Sequence, residues 1–377
     1  MPELRILLAS HSPTLATGYG RVVREFARAL AKAGHAVCAV GSGYDGAPHV
    51  MSFPIMPAAP ATLAPAIARA IEATSPHVLI TIGDPWMFDG LPAVCQAAPR
   101  TRWLACFPID SRPLPGPFKS WIAAAHATVV FSEYARTVVR DEVDIDPLVI
   151  PHGVDTATFR PLDRTLAKAR VGVAGQFVIG TVAANQRRKN LPALIDAFAR
   201  FARGKDDVML YLHTPIVGEH DLQPILERHG VADRARATLR YDPLRGLSDA
   251  DLATVYNSFD VFALPTMAEG FGLPILESQA CGVPALATDC SSCTELLPHP
   301  MQRVQVRATE THAHGIVRSL ADEADLAARF ERLYRDRPLR DGIARGSLDF
   351  ASQFTWERLL PALLDRVTTI AADSARA

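Results

Sequence analysis

The chain alternates short apolar segments with amphipathic helical segments, and it does so in two successive runs. The apolar segments of the first run are RILLA, AVCAV, HVLITIG, WLACFPI and TVVFS. Those of the second run are FVIGTVA, VMLYLH, ATLRY, VFALP and PALAT. Apolar strands that alternate with helices form βαβ units and a parallel sheet covered on both faces. The pattern predicts an α/β fold of two doubly wound, Rossmann-like domains that face a central cleft.

The segment between the two runs, IPHGVDTATFRPLD, has the glycine and prolines of a linker. A chain of 377 residues is also too long for one compact core. We therefore expect an N-terminal domain at 1–160 and a second domain at 161–354. In doubly wound sheets, ligands bind beyond the carboxyl ends of the strands.

The charge balance and the cysteines exclude several classes of protein. Thirty-nine basic and forty acidic residues give a net charge of −1, which argues against a nucleic-acid partner and favours at most a weak peripheral membrane contact. No apolar run reaches the roughly 18–20 residues of a membrane span, and the start MPELRILLAS lacks the pattern of a signal peptide. Six scattered cysteines then indicate reduced thiols and a cytoplasmic location.

Two kinds of motif suggest a cofactor or a metal but have simpler explanations. GSGYDG (41–46) matches a dinucleotide fingerprint, yet the proline-rich segment after it cannot open the helix that the fingerprint needs. A strand-end loop is favoured there. The D-x-D pairs at 144–146 and 249–251 fit a connector and a first helical turn, where acids favour the helix dipole. We therefore predict neither a cofactor nor a metal.

Cys290 and Cys293 have the C-x-x-C spacing of a zinc or redox pair. A structural zinc site needs four ligands, usually from two such pairs, and the sequence has no second pair. A redox pair is one alternative. The favoured interpretation is a helix start in which Ser292 and Glu295 form a capping box.

Two loops at predicted strand ends are candidates for phosphate binding. Gly18 and Gly20 flank Tyr19 between the first strand and its helix, where free N–H groups suit a phosphate, although a tight turn also uses glycine. NQRRKN (185–190) follows the first strand of the second domain and places three cations beside a helix N-terminus, which repels them. A bound anion accounts for that placement, and a solvated loop is the alternative.

The segment EGFGLPILE holds two carboxylates, Glu269 and Glu277, around a pair of glycines. Glu269 lies on the loop after the strand VFALP, and Pro274 fits the first turn of the next helix, which places Glu277 in that turn. A carboxylate accepts hydrogen bonds from two vicinal hydroxyls, each bond contributing about 1.5–3 kcal/mol. Two carboxylates, nearby N–H donors and a basic loop match a nucleotide-sugar, which has diols at both ends and a diphosphate between them.

At these motifs the chain resembles the retaining glycosyltransferases of the GT-B fold, in the group 1 (family 4) class. The resemblance covers nearly the whole chain and depends most on the E-x7-E pattern with EGFG inside it. Supporting segments are TGYGRVVREFARALAKAGHAV, IPHGVDTATFRP, RKNLPALIDAF and FTWERLL. It implies that the N-terminal domain lies on the acceptor side, that the second domain binds the donor, and that the last helix, about 355–377, packs back on the N-terminal domain.

The resemblance also implies roles for individual residues. Glu269 would hold hydroxyls of the donor sugar, Glu277 the nucleotide ribose, and Arg188 with Lys189 the diphosphate. The implied donor-binding residues are Gly18, Tyr19, Gly20, Asn185, Arg188, Lys189, Tyr241, Thr266, Glu269, Gly270, Phe271, Gly272, Leu273 and Glu277. The implied catalytic residues are Glu269, Asp110, Lys189 and Arg188.

The chain departs from the family at two positions. Many members have an arginine just after the first strand of the second domain, where this chain has Ala183-Ala184-Asn185. We expect Arg187 or Arg188 to supply that charge and Asn185 to act as a donor. Members often have a histidine at the end of the fourth N-domain strand, where CFPIDSRP offers Asp110. Asp110 either accepts from a sugar or acceptor hydroxyl or caps the following turn.

The sequence thus predicts retaining transfer of a sugar from a nucleoside diphosphate sugar to a hydroxyl acceptor, without a metal. A UDP-sugar is favoured on the family's frequency, and a GDP-sugar is second. The alternatives are a GT-B epimerase or phosphorylase that uses the same cleft, or a catalytically degenerate protein that only binds a sugar nucleotide.

Overall fold

The computed structural model describes residues 3–59, 63–238 and 246–374. They form two compact units, the first made of 3–152 with 356–374 and the second of 153–238 with 247–355. Each unit has a parallel sheet with its own helices, so the predicted α/β fold of two doubly wound domains is confirmed. Within the described ranges, no helix is both long and apolar enough to cross a membrane.

The first unit contains a seven-stranded parallel sheet with the order β3-β2-β1-β4-β5-β6-β7. Its strands are β1 Arg5–His11, β2 Ala36–Ser42, β3 Ile55–Ala58, β4 Val78–Ile82, β5 Arg102–Phe107, β6 Ala127–Val130 and β7 Leu148–Val149. Its helices are α1 Gly18–Lys32, α2 Leu63–Thr74, α3 Leu91–Ala97, α4 Gly116–Ala123, α5 Glu133–Val143 and, at the end of the chain, α13 Trp356–Ser374.

Helix α1 illustrates how local sequence fixes the start of an element. Thr17 is the N-cap, and its hydroxyl accepts from the N–H of Gly20 at 3.1 Å. A Cβ at position 20 would lie 2.6 and 2.7 Å from the carbonyl oxygens of Leu15 and Ser12. Only glycine fits there, because the turn between β1 and α1 brings the backbone that close.

The last helix, α13, packs in the first unit, although the whole second unit precedes it in sequence. It contacts α1, β4 and β5. Leu363 and Val367 are fully buried, and Trp356 packs edge to face on Phe26 of α1 with ring centroids 6.2 Å apart. The second unit is therefore an insertion in the sequence of the first.

The second unit contains a six-stranded parallel sheet with the order β10-β9-β8-β11-β12-β13 and a separate antiparallel hairpin, β14-β15. The strands are β8 Phe177–Val182, β9 Val208–His213, β10 Ala235–Ala237, β11 Val261–Leu264, β12 Ala285–Thr288, β13 Arg303–Val304, β14 Val306–Thr311 and β15 Val317–Ala321. The helices are α6 Arg164–Arg170, α7 Leu191–Phe201, α8 Leu222–Arg228, α9 Asp249–Asn257, α10 Leu273–Ala280, α11 Glu323–Arg335 and α12 Arg337–Ala351.

Both parallel sheets contain a topological switch point. The first strand of each sheet, β1 or β8, has one neighbour that follows it directly in sequence and another, β4 or β11, that comes later. The loops that follow these two central strands leave in opposite directions. A crevice therefore lies between them, at the carboxyl ends of the strands. This is where ligands bind in open α/β sheets.

The strand β3 was not expected, because its sequence belongs to the proline-rich segment after GSGYDG. It lies at the edge of the first sheet, where Pro57 is tolerated since an edge strand need not donate every backbone N–H. GSGYDG begins with the last two residues of β2 and continues as the predicted strand-end loop, in which Gly43 and Gly46 have φ of +78° and +87°. The extra strand makes WLACFPI the fifth strand of the unit, not the fourth.

Candidate active site

The loops that follow β8 and β11 are joined at the switch point of the second sheet. The N–H of Met267 donates to the carbonyl of Arg188 at 2.7 Å. The hydroxyl of Thr266 donates to the same carbonyl at 3.1 Å. These hydrogen bonds bring together two predicted donor-binding segments that are about 80 residues apart in the sequence.

Glu269 forms a buried ion triad with Arg188 and Lys189. Nζ of Lys189 lies 2.6 Å from Oε1 of Glu269, and Nη1 of Arg188 lies 3.0 Å from Oε2. Arg188 also donates to the Ala268 carbonyl at 2.6 Å. Glu269 is 5% exposed and Lys189 9%, so removing Glu269 would leave buried positive charge uncompensated.

The triad holds Glu269 in its ionised form. Burial by itself would raise the pKa of Glu269, but the charges of Lys189 and Arg188 outweigh it and hold the pKa at about 2. Burial lowers the pKa of Lys189, the charge of Arg188 adds to that effect, and Glu269 opposes both. Two cations against one carboxylate leave one positive charge unbalanced, which favours an anion.

Gly272 directs the chain from the loop into helix α10. It is the N-cap, and its φ is +110°, a conformation that side chains rarely adopt. A Cβ there would also meet the side chains of Ile275 and Leu296 at 3.2 Å. The helix begins at the next residue, Leu273, while Gly270 and the buried Phe271 lie on the loop before it.

Glu277 lies deeper in α10 than the sequence predicts. The helix begins at Leu273 with Pro274 as its second residue, so Glu277 is the fifth residue and falls in the second turn. Its side chain is buried and accepts from the hydroxyl of Tyr256 on α9 at 2.8 Å. Sequence analysis missed Tyr256. A buried tyrosine needs a hydrogen-bond partner, but nothing local indicates which one.

The segment after β12 is a second missed part of the site. Oγ of Ser291 accepts from the N–H of Glu269 at 2.9 Å. Oγ of Ser292 donates toward the carbonyls of Glu269 and Phe271, at 2.7 and 2.9 Å. The predicted capping box of Ser292 with Glu295 is therefore wrong. Ser292 lies inside a 3-10 helix, Ser291–Leu296, and its hydroxyl turns to an irregular loop whose carbonyls belong to no strand ladder.

The two cysteines of the C-x-x-C motif flank these serines. Sγ of Cys290 lies 3.6 Å from the Met267 carbonyl. A hydrogen bond with Cys290 and burial raise the pKa of Cys293, which disfavours the thiolate that zinc requires. In the parts of the chain that the structure describes, no three His, Cys, Asp or Glu side chains are grouped as metal ligands.

The acids of the two D-x-D pairs have local partners. Asp146 forms a bidentate ion pair with Arg136, with distances of 2.6 and 2.8 Å. Asp144 is the C-cap of α5. Asp251 lies in the first turn of α9, where its N–H donates to the N-cap Ser248 at 3.1 Å. Helix termini account for Asp144 and Asp251, and the ion pair with Arg136 accounts for Asp146.

Asn185 does not have the donor role that the sequence predicts, and of the two arginines expected to supply the charge, Arg188 and not Arg187 contacts Glu269. The amide nitrogen of Asn185 donates to backbone carbonyls of the segment 215–220 at 2.8–3.3 Å, and its oxygen accepts from the N–H of His220 at 3.2 Å. A side chain used in this way holds a loop and is not available as a ligand donor. Arg187 forms an exposed ion pair with Glu310 on β14 at 3.0 Å, so Arg188 supplies the buried charge.

The glycine loop lies at the switch point of the first unit. Gly18, Tyr19 and Gly20 form the first turn of α1. The hydroxyl of Tyr19 donates to Asp84, just after β4, at 2.7 Å, and its ring meets His11 at the end of β1 edge to face at 5.5 Å. Sequence analysis missed both partners.

Asp110 lies three residues after the end of β5 and is half-buried. Because β5 is the fifth strand, the residues that follow the fourth strand are Gly83 and Asp84 instead. The predicted placement of Asp110 after the fourth strand is wrong for that reason. Tyr241 lies outside the described residues.

The second-unit site has the groups that a nucleoside diphosphate sugar requires. Arg188 and Lys189 offer cationic donors, and a second buried carboxylate, Glu277, follows on α10. Lys189, Arg188 and the Thr266 hydroxyl use three of the roughly four lone-pair positions of Glu269, which leaves one for a ligand hydroxyl. The site can therefore neutralise a diphosphate and bind hydroxyl groups at the same edge of the sheet.

Comparison with known proteins agrees with this chemistry. Residues 176–336 match the family described as glycosyl transferases group 1. The D-inositol 3-phosphate glycosyltransferase of Stackebrandtia nassauensis is 29% identical over 259 residues, which cover 64% of this chain and 54% of that protein. The enzyme of the same name from Geodermatophilus obscurus is 31% identical over 259 residues, 65% of this chain and 53% of that protein. The chain spans about half the length of these relatives.

Solved structures resemble the whole chain. Sucrose-phosphate synthase from Thermosynechococcus elongatus has a TM-score of 0.80 and 17% identity, covering 98% of this chain and 100% of that one. Anabaena HepE in complex with UDP-glucose has a TM-score of 0.76 and 18% identity, covering 97% and 100%. Identities this low show the fold alone. The chain therefore shares the fold of these structures, and its residues 176–336 match the group 1 glycosyltransferases.

Proposed function

We propose that the protein is a retaining glycosyltransferase that moves a sugar from a nucleoside diphosphate sugar to a hydroxyl acceptor. It acts in the cytoplasm without a metal or cofactor. The observation that carries this proposal is the buried triad of Glu269, Arg188 and Lys189 at the sheet's switch point. Buried charges are costly to maintain, and a surplus of one positive charge at a ligand-binding edge suits a diphosphate.

In this proposal the two cations stabilise the departing diphosphate. Charge that develops on the leaving group is stabilised most by donors that are already in place and partly out of water. Glu269 holds Lys189 and Arg188 in that way. Glu269 has a second task, which is to accept from hydroxyls of the donor sugar. Glu277 accepts from the ribose.

A UDP-sugar is the proposed donor, and a GDP-sugar is second. The likeness to HepE, whose structure contains UDP-glucose, supports the uridine choice. The fold also resembles that of Arabidopsis starch synthase IV, whose structure contains ADP and acarbose. ADP is therefore the nucleotide to compare with UDP. The hydroxyl acceptor is supported by the relatives named for inositol 3-phosphate, a molecule whose free reactive groups are hydroxyls.

The experiment has two steps. Thermal shift against UDP, GDP, ADP and dTDP should show the largest rise in melting temperature with UDP. The matching nucleoside diphosphate sugar should then be hydrolysed or transferred in excess EDTA, and the released sugar should keep the anomeric configuration of the donor by NMR.

Several outcomes would contradict the proposal. A nucleotide that binds without any turnover of its sugar would indicate a pure binding protein. A product that remains a sugar nucleotide with altered stereochemistry would indicate an epimerase, and turnover dependent on inorganic phosphate a phosphorylase. Activity lost in EDTA and restored by manganese would place the diphosphate's counter-charge on a metal.

A further inference from the structure

The backbone of Glu269 is held on both sides by side chains of one short segment. Its N–H donates to Oγ of Ser291 at 2.9 Å, and its carbonyl accepts from Oγ of Ser292 at 2.7 Å. These serines follow β12, whereas Glu269 follows β11. Glu269 and the two serines that hold it thus follow two neighbouring strands. We call Ser291 and Ser292 the serine clamp.

The clamp reaches beyond Glu269 itself. Oγ of Ser292 also lies 2.9 Å from the Phe271 carbonyl, so its single hydrogen is placed between two carbonyls of the same loop. Ser292 is 1% exposed, and water cannot readily replace its hydroxyl. An irregular loop that would otherwise have unsatisfied backbone groups is thereby fixed in one conformation.

Ser291 adopts a backbone conformation that requires an explanation. Its φ is +45°, in the left-handed region where a residue other than glycine or asparagine is uncommon. A glycine would adopt this conformation with less strain, but it could not accept the N–H of Glu269. The strain is therefore retained together with the hydroxyl.

We propose that Ser291 and Ser292 are positioning residues for Glu269. By fixing its backbone N–H and carbonyl, they set the direction of the side chain and hence the places of Lys189 and Arg188, which the carboxylate holds at 2.6 and 3.0 Å. The catalytic meaning of the clamp rests on the proposed function. Its structural role, which is to order the loop that carries Glu269, does not depend on the proposed function.

The test uses Ser291→Gly, which removes the hydroxyl and relieves the backbone strain, and Ser292→Ala. Ser258→Ala is the matched control, because Ser258 is fully buried and its Oγ donates to the Val255 carbonyl at 2.6 Å, at the end of α9. The Ser292→Ala variant should lose about as much melting temperature as the control. Only the clamp variants should lose kcat/KM for the donor, by roughly 10- to 100-fold, since a misplacement near 1 Å costs about that much.

A double-mutant cycle with Glu269→Gln separates positioning from general destabilisation. Once the carboxylate is absent, losing the clamp should reduce kcat/KM by less than about threefold, because there is no carboxylate left to direct. If the losses of kcat/KM in a clamp variant and in Glu269→Gln multiply in full when the two are combined, the proposal is overturned. The same loss of kcat/KM in the Ser258→Ala control would also overturn it.

Hydrogen exchange tests the clamp without activity. The amides of 267–271 should exchange at least about 10-fold faster in the Ser291→Gly, Ser292→Ala double variant, as expected when local hydrogen bonds are lost. Unchanged exchange would overturn the clamp. Faster exchange in a protein whose wild type turns over no nucleoside diphosphate sugar would overturn the proposed function and the catalytic role, while the ordered loop would stand.

Discussion

The two sheets have the same kind of switch point but fill it with opposite chemistry. In the second unit, Glu269 joins two cations in a buried triad. In the first unit, Tyr19 donates to Asp84 beside His11, a residue whose pKa burial lowers. Backbone topology is therefore not what gives the second unit its surplus of positive charge. The side chains placed on that topology determine it.

Glu269→Gln should have the largest effect, because it breaks the charged site. We expect kcat/KM to fall roughly 10- to 150-fold, the equivalent of one charge-assisted bond at about 1.5–3 kcal/mol. Affinity for the bare nucleoside diphosphate should change little, because Glu269 is proposed to hold the sugar end of the donor. The unfolding free energy should decrease by about 3 kcal/mol, as measured by urea unfolding.

The matched control is Asp84→Asn at the first switch point. Asparagine still accepts from Tyr19, so the unfolding free energy should change by less than about 1 kcal/mol. Equal losses of stability in the two variants would contradict the contrast between a charged site and a polar one.

Acid should weaken the second unit through the same carboxylate. The pKa of Glu269 is about 2 in the folded protein against a usual 4.5, so its stabilisation is present above pH 4.5 and is lost as the pH falls towards 2. The full contribution is about 3 kcal/mol, of which about 2 kcal/mol is lost by pH 3. Urea unfolding between pH 5 and pH 3 should show a smaller loss in Glu269→Gln than in the wild type. Parallel curves would show that Glu269 is not the titrating group.

Glu277→Gln tests the second carboxylate of the charged site. If Glu277 binds the ribose, the affinity for the bare nucleoside diphosphate should fall by about 10-fold, the effect of one hydrogen bond to a charged group. Isothermal titration with UDP measures this. Unchanged UDP affinity together with a large loss on the intact donor would assign Glu277 to the sugar instead.

Asp110→Asn asks whether the first unit also contributes a charge. Asparagine keeps the shape and most of the capping ability of aspartate, so the melting temperature should change little. A functional Asp110 predicts that kcat falls at least about 10-fold, or 1.4 kcal/mol. A wild-type kcat, or a loss of activity explained by unfolding, would indicate that Asp110 only caps the turn that follows it.

Among these variants, Tyr19→Phe should have the smallest effect on kcat/KM. It removes one hydrogen bond, at 2.7 Å to Asp84, and should lower the unfolding free energy by about 1 kcal/mol. A 100-fold loss of kcat/KM in this variant would show that the first switch point is as functional as the second, and the contrast would fail.

The predictable parts of the molecule are those set by local pattern. Runs of apolar residues predicted the central strands of both sheets, and Pro274 predicted the first turn of α10. The short edge strand Ile55–Ala58 was missed because Pro54, just before it, and Pro57, within it, favour an irregular segment. That omission also shifted the strand count that placed Asp110.

The less predictable parts depend on residues far apart in the sequence. Ser292 reaches Glu269 from 23 residues away, and its C-S-S-C setting suggested a local cap. Asn185 is satisfied by a loop 30–35 residues later, whereas sequence alone left its amide available to a ligand. Side-chain partners of this kind follow from the packing of neighbouring strands, which no local pattern encodes.

The position of α13 has a consequence for synthesis on the ribosome. The first unit emerges first, but the helix that covers α1, β4 and β5 follows about 200 residues later. At roughly 5–20 residues per second, that interval lasts on the order of 10–40 s. During this time the apolar surface that later receives Leu363 and Val367 has no covering helix. A nascent-chain chaperone would therefore encounter the first unit in an incomplete state while the second unit is still being translated.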